Sequence, residues 1–347
     1  AVSNLIAELF ELHDQTQFEI HLFSFAPKKN DPMQARIFST TENIHYIDNI
    51  SDAEVSNLAK KLHIDIAVDL MGYTTDYRAD IFNFRCAPIQ VSYLGYPSTM
   101  GADFIDYLIA DKTLIPSNQR EFYSEKIAYL PFSYQINDRK RKISNKFLTR
   151  KLLSLPENAF VYCCFNNNYK IHPEVFKIWM RILSKSPNSV MWLLEDSKEA
   201  KNNLLQEAVK QNIDPSRLIF APRIETSEHL MRQQFADLFL DTWPYNAHTT
   251  ASDALWVGLP VLTYAGKSFA SRVGASLLNA ANLTELVTTS WLDYENLAIS
   301  MAQNPQLQTE TKQKLLESKD AIPLFDSPRT TKAIESAFIE MYLRYLQ

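Results

Sequence analysis

Leu238-Phe239-Leu240-Asp241-Thr242-Trp243-Pro244-Tyr245-Asn246-Ala247-His248-Thr249-Thr250-Ala251-Ser252-Asp253-Ala254-Leu255-Trp256-Val257 reads as a strand, a polar loop and a helix. The strand is apolar up to Asp241, and the helix begins near Thr250. The same alternation repeats on both sides of this stretch. Upstream, strands are predicted at 160–165, 190–194 and 218–221, with helices at 173–183, 199–211 and 227–235. Downstream come a strand at 262–264 and a helix at 270–280. Strands separated by helices form parallel βαβ units and a doubly wound sheet. Such a sheet takes its ligands at the carboxyl ends of its strands, where the loop after Asp241 lies.

The first half alternates in the same way. Val2, Leu5, Ile6, Leu9, Phe10 and Leu12 recur at helical spacing. β-rich runs occupy 18–25 and 44–47, a helix 52–63, and a strand 64–70 that ends in Met71-Gly72-Tyr73-Thr74. A short helix at 79–84 and strands at 88–94 and 105–110 follow. The six glycines fall into two groups, Gly72, Gly95 and Gly101 against Gly258, Gly266 and Gly274, which suggests two lobes with one glycine-marked rim each. Arg139, Lys140, Arg141, Lys142, Lys146, Arg150 and Lys151 occur with no acid between them and read as a solvated connector. A final helix at 329–346 carries Ile334, Phe338, Met341 and Tyr345 on one side. The expected division is a first lobe at 1–138, a basic connector at 139–156, a second lobe at 157–325 and a terminal helix at 326–347. The fold class is α/β, with two doubly wound lobes and a ligand cleft between their rims.

The length of 347 residues fits two domains, and 46% hydrophobic with 22% charged residues is a soluble globular balance. A net charge of -5 disfavours nucleic acid, because phosphate neutralisation needs clustered positive charge. Three cysteines are no disulfide framework; Cys163 and Cys164 read as buried thiols in a reducing, cytoplasmic setting. No apolar run is long enough to span a membrane, and no secretory signal opens the chain. The first residue is Ala1 rather than Met, so the chain is read as processed or cut from a longer one. No Gly-x-Gly-x-x-Gly run is present, which disfavours a dinucleotide enzyme. Gly266-Lys267-Ser268 lacks the upstream glycine of a phosphate loop, position 261 being Val, and is a chance match.

Four stretches can carry chemistry. In the opening loop, Thr250 with Asp253 fits a capping box, the plain structural reading. The functional reading adds that the N–H groups of Thr249, Thr250 and Ala251 would leave a helix N-terminus unpaired, where anions bind, with His248 beside them. Phe165-Asn166-Asn167-Asn168-Tyr169-Lys170 follows a strand, where amides and one Lys suit a phosphate; the alternative is an ordinary Asn-rich turn. His229 and Arg232 lie one helical turn apart and would present one face to a nucleobase. Gln90-Val91-Ser92-Tyr93-Leu94-Gly95-Tyr96-Pro97-Ser98-Thr99-Met100-Gly101, after a first-lobe strand, reads plainly as a tight turn and functionally as the rim facing a ligand. No two His stand four apart on a helix and no Cys-x-x-Cys exists, so a metal site is not expected.

In order along the chain, Ala87-Pro88-Ile89-Gln90, Leu94-Gly95-Tyr96-Pro97, Tyr123-Ser124-Glu125-Lys126, Phe165-Asn166, Tyr169-Lys170-Ile171, His248-Thr249-Thr250 with Asp253, and Ala270-Ser271-Arg272-Val273 resemble the catalytic region of the O-GlcNAc transferase family, glycosyltransferase family 41. The resemblance implies a GT-B fold with the donor between two Rossmann-like lobes, held mainly by the second. The terminal helix then crosses back onto the first, acceptor-side lobe. It implies inverting transfer of N-acetylglucosamine from UDP-N-acetylglucosamine to Ser/Thr hydroxyls of a protein acceptor, with no cofactor and no required metal. By the same resemblance Lys170 contacts the diphosphate and is the catalytic residue, His229 and Arg232 face the uracil, and His248, Thr249 and Thr250 hold the diphosphate. Asp253 lies near the donor ribose, Asn167 belongs to the donor set, and Leu94, Gly95, Tyr96 and Pro97 form the sugar and acceptor rim.

Three positions depart from the family pattern. Asn167 replaces a Gln of the animal enzymes, Thr226 replaces a Lys near the ribose, and Gly72-Tyr73-Thr74 replaces the Gly-His-Thr of many bacterial relatives. The family's important N-terminal His would fall just before Ala1, and relatives carry tetratricopeptide repeats upstream. Two alternatives stand beside the lead reading. One is the same fold with another donor, UDP-glucose to Asn or GDP-fucose to a hydroxyl. The other is a nucleotide-sugar-binding module that docks proteins without turnover.

Overall fold

The computed structural model describes residues 2–25, 31–318 and 321–347; Ala1 lies outside them. The chain divides into two units, Ala1–Lys140 with Pro323–Gln347, and Arg141–Ile322. In the first unit, β1 (Leu22–Ser24) and β2 (Ile44–Tyr46) form a two-stranded parallel sheet. β3 (Ile66–Asp69), β4 (Ile89–Ser92), β5 (Tyr107–Asp111) and β6 (Lys126–Leu130) form a four-stranded sheet in chain order, parallel throughout. β4 and β5 are buried at every position, as strands covered on both faces must be. β6 was not anticipated: it opens on exposed Lys126 and holds only two buried residues, so its apolar signal is weak.

The second unit carries β7 (Phe160–Cys164), β8 (Ser189–Leu194), β9 (Leu218–Ala221), β10 (Leu238–Leu240), β11 (Val261–Tyr264) and β12 (Val287–Thr288). Their order is β12-β11-β10-β7-β8-β9, all parallel. The chain winds outward from β7 through β8 to β9, then returns to β10 on the other side. That reversal leaves a crevice at the carboxyl ends of β7 and β10, the place where open parallel sheets bind ligands. The helices Pro173–Lys185 and Val273–Ala280 bury apolar faces against this sheet, with Trp179 and Leu277 fully inside.

The basic stretch holds the division between the two units, and five of its seven cations are paired with acids. Arg139 bonds Glu8 at 2.7 Å and Lys140 bonds Glu11 at 2.6 Å in the first unit. In the second, Arg141 pairs with Asp253 at 2.7 Å, Lys146 with Glu228, and Arg150 with Asp237 at 2.9 Å. The acids are distant in sequence, so a run without local acids looked unpaired. The terminal helix, Ser327–Tyr345, belongs to the first unit. Asn137 Nδ2 donates to the Leu324 carbonyl at 3.0 Å, Ser327 Oγ donates to the Asn137 carbonyl at 2.6 Å, and His13 Nδ1 lies 3.0 Å from Glu335 Oε1. Ile334 on this helix is fully buried. Ile334→Ala is expected to cost about 2–5 kcal/mol in urea unfolding of the first unit; a loss below about 1 kcal/mol would mean that the helix adds no core there.

Candidate functional site

Lys170 closes the short 3-10 turn Asn168–Lys170 after β7. Its Nζ donates to the Asn246 carbonyl at 3.0 Å and stands 4.0 Å from the centre of the Tyr245 ring. The bond therefore spans the crevice, from the β7 loop to the β10 loop. Burial pulls its pKa down to about 8, and Asp241 opposes that shift. Asp241 caps β10 and is 1% exposed. Its Oδ1 accepts from the Thr242 N–H at 2.8 Å and the Ala247 N–H at 2.6 Å, and its Oδ2 from Thr263 Oγ1 at 2.6 Å. One carboxylate thus folds the 242–247 loop back on itself. Burial lifts its pKa to about 7 despite these bonds. A Cβ at Gly274 would stand 2.5 Å from Asp241 Oδ2, so only glycine lets that helix close over the carboxylate.

The loop is further braced by Asn166, which donates from Nδ2 to Thr242 Oγ1 at 2.7 Å and accepts from Thr250 Oγ1 through Oδ1. Asn246 Nδ2 donates to the Thr242 carbonyl at 2.7 Å. This bracing delivers the chain into the helix Thr249–Trp256. The capping box expected from Thr250 and Asp253 is absent: His248 is the N-cap residue and caps with no side-chain bond. Thr250 is turned onto Asn166, and Asp253 is taken by Arg141 at 2.7 Å, whose guanidinium sits 4.9 Å from the Trp256 ring centre. The helix mouth is left open instead. The N–H groups of Thr249, Thr250 and Ala251 make no hydrogen bond among the described residues; the first taken is Ser252 N–H, onto the His248 carbonyl at 3.1 Å. Unpaired N–H groups and the positive end of the helix dipole favour an anion there.

Both site histidines are neutral at pH 7. His248 stacks on Tyr245 with ring centres 4.8 Å apart, and burial first, then Lys170, drives its pKa to about 3. His248 Nε2 is buried with no hydrogen-bond partner among the described residues. His229 packs edge-on to Phe165 at 5.0 Å and falls to about 4 through burial, with Arg232 and Arg223 adding to it. Arg232 Nε donates to His229 Nδ1 at 3.0 Å and Nη1 to the Pro222 carbonyl at 2.6 Å. Being 2% exposed, Arg232 stands behind His229 as its support rather than beside it on an open face. Asn167 Oδ1 accepts from Arg223 Nη2 at 2.7 Å.

The structure gathers Asn167, Lys170, His229, Arg232, His248, Thr249, Thr250 and Asp253 in the second unit, on loops and helices that follow β7, β9 and β10. Leu94, Gly95, Tyr96 and Pro97 belong to the first unit, just after β4. Leu94 is buried at φ 66°, and Gly95 passes the Leu70 carbonyl so closely that a Cβ would lie 1.8 Å from its oxygen. The Tyr96 ring meets Tyr73 edge-on at 5.7 Å. Sequence reasoning gave no role to Asp241, Arg141 or Arg223, and took Asn166 only as one amide of the turn before Lys170. Asp241 did leave a signal: it is the one charge closing the apolar strand it ends. Among the described residues no cluster of three or more His, Cys, Asp or Glu is arranged to hold a metal ion.

Two units of parallel α/β sheet, the second reversed at a crevice with an anion-ready helix mouth, give the chain the GT-B fold. The chain belongs to glycosyl transferase family 41, whose model matches residues 1–150 and 144–334. It is 36% identical over 348 residues to the probable UDP-N-acetylglucosamine--peptide N-acetylglucosaminyltransferase SEC of Arabidopsis thaliana, covering 98% of this chain and 36% of that protein. A mutant of the Thermobaculum terrenum O-GlcNAc transferase superposes with a TM-score of 0.92 at 26% identity, covering 99% of this chain and 65% of the other. Anabaena HepE in complex with UDP shares the fold alone, at a TM-score of 0.61 and 12% identity over 98% of this chain and 95% of that one. The chain therefore spans little more than a third of the plant relative's length.

The buried carboxylate gives a pH signature. Asp241 has a raised folded pKa, so its contribution to stability is present at low pH and is lost as pH climbs to about 7. Asp241→Asn keeps an acceptor for the two N–H groups and removes that loss. The stability of the variant relative to the wild type is expected to rise between about pH 4 and pH 7, by at most about 1.4 kcal/mol per pH unit, and then level off. Thermal melts across that range check it; parallel curves would show that Asp241 does not titrate there.

Proposed function

We propose that this chain transfers N-acetylglucosamine from UDP-N-acetylglucosamine to Ser or Thr hydroxyls of a protein acceptor, with inversion and without a required metal or cofactor. The observation that carries this reading is the Lys170 ammonium at the same crevice as three unpaired N–H groups, those of Thr249, Thr250 and Ala251. A diphosphate leaving group needs donors aimed where its charge grows, and donors already fixed in a water-poor site stabilise the transition state most. The acceptor hydroxyl oxygen bonds the anomeric carbon and its proton passes to solvent, the bond to the UDP oxygen breaks, and Lys170 with the helix mouth receives the new charge. Neutral His229 offers a flat ring for the uracil, held by Arg232, and neutral His248 sits over the phosphates. Asn167 and Asp253 complete the donor set. Leu94, Gly95, Tyr96 and Pro97 form the sugar and acceptor rim.

We further read the activity as belonging to a longer cytoplasmic protein with tetratricopeptide repeats that present the acceptor. The family's relatives, named for peptide N-acetylglucosaminyl transfer, support the donor and acceptor classes. None of the described helices is long and apolar enough to cross a membrane. Calorimetry with UDP, UDP-N-acetylglucosamine, UDP-glucose and GDP-fucose tests the donor, and mass spectrometry of a co-expressed acceptor tests transfer. Uridine nucleotides should bind and the acceptor should gain the mass of one N-acetylhexosamine; tighter binding of GDP-fucose would overturn the donor assignment.

Lys170→Ala is expected to lower kcat about 10²–10³-fold, the scale of losing one preorganised donor to a developing anion, with unchanged circular dichroism. Because burial sets the Lys170 pKa near 8, the cation is present below that pH and lost above it. For the wild type, kcat/KM for the donor should therefore fall as pH rises through about 8. A flat profile to pH ~10 would remove Lys170 from the role, because an ordinary lysine still titrates near there.

A further inference from the structure

We propose that Arg223 is a donor-binding residue of the second unit, supplying its guanidinium to the phosphate nearest the nucleoside. The inference rests on the proposed use of a uridine diphosphate donor. It begins from the fate of the other cations. Lys170 is turned onto the Asn246 carbonyl across the crevice. Arg232 is 2% exposed and committed to His229 and the Pro222 carbonyl. Arg141 is committed to Asp253 and the Trp256 face. A nucleoside diphosphate brings roughly two to three negative charges, more than one ammonium and a helix mouth offset.

Arg223 is placed differently. It follows β9, at the same carboxyl edge of the sheet as the β7 and β10 loops. Its Nη2 donates to Asn167 Oδ1 at 2.7 Å and to Asp196 Oδ1 at 2.6 Å, which fixes the plane of the guanidinium. Both bonds come from one nitrogen; Nη1 and Nε make none among the described residues, and 60% of the side chain is exposed. Arg223 also lies near enough to His229 to help hold that ring neutral. It therefore stands between the residue proposed to stack on the base and the loop that leads to Lys170. A guanidinium held on one edge with its other donors open suits an anionic oxygen, which it meets with two parallel N–H groups. Asp196 orients Arg223 and also tempers its charge, so the cation attracts a phosphate without needing one to stay folded.

Calorimetry of the full chain with uridine, UMP and UDP, on the wild type, Arg223→Ala and Arg223→Lys, tests this. In Arg223→Ala, affinity for UMP and UDP should fall about tenfold while uridine changes less than twofold. Arg223→Lys should recover part of the loss, because the charge stays and the fork geometry goes. A thermal melt matching the wild type shows that Arg223→Ala is folded. If the wild type binds UDP and Arg223→Ala binds it equally well, the inference fails alone. If uridine weakens as much as UDP, Arg223 serves the nucleoside rather than a phosphate, and the assignment is overturned. If the wild type binds no uridine nucleotide, the donor reading fails, and this inference with it.

Discussion

The second unit depends on one constraint: a carboxylate, Asp241, buried at the end of β10 where the sheet reverses. Burying a charge is costly unless it is bonded or neutralised, and here both happen. Two backbone N–H groups and the Thr263 hydroxyl bond it, and its pKa rises to about 7. In return the 242–247 loop has a fixed path, because Thr242 and Ala247 must both reach one oxygen. That path puts the Asn246 carbonyl within reach of Lys170 and aims the chain into the helix that starts at Thr249. A loop held by one central acceptor needs neither a glycine-rich sequence nor a metal to keep its shape. Scarce glycine in this chain, six in 347 residues, is consistent with that economy.

The same geometry explains why capping looked plausible in the sequence and is not used. Thr250 and Asp253 stand at the spacing of a reciprocal cap, and in an isolated helix they would satisfy the first N–H groups. Here each has a stronger tertiary partner. Asn166 takes the Thr250 hydroxyl, and Arg141 takes the Asp253 carboxylate from a segment more than a hundred residues away. Removing the caps leaves the helix mouth without internal acceptors, a state that an anion would relieve. Local propensity was overridden by contacts that make the end of the helix useful.

The doubly wound fold was legible because strands and helices carry different periods, and the second half keeps both cleanly. Strand positions in the β7 to β11 series came out within a few residues. β6 and the helices Trp291–Gln303 and Pro305–Ser318 were missed. The reason is physical: β6 is half-covered, and both helices carry weak amphipathic patterns with polar residues scattered around them. The loops bearing Lys170 and His248 could be singled out, since polar residues at strand ends are visible in one dimension. Their bracing could not. Asp241 was readable only as a charge ending an apolar run, and its bonds to Ala247 and Thr263 depend on how two strands and a loop meet. The acid partners of Arg139, Arg141 and Arg150 were invisible for the same reason, since each lies more than eighty residues away in the chain.

The charge states of the site fit together as one system. His229 and His248 are neutral, while burial draws Lys170 down to about 8 and lifts Asp241 to about 7. They oppose each other's burial: the carboxylate helps keep the ammonium charged, and the ammonium helps keep the carboxylate ionised. An anion arriving at the helix mouth breaks that balance in one direction. It favours the protonated Lys170 by attraction and the protonated Asp241 by repulsion, so both groups shift toward the acid form. On the proposed reading the donor diphosphate therefore binds with proton uptake, and the positive charge of the site grows when the leaving group needs it.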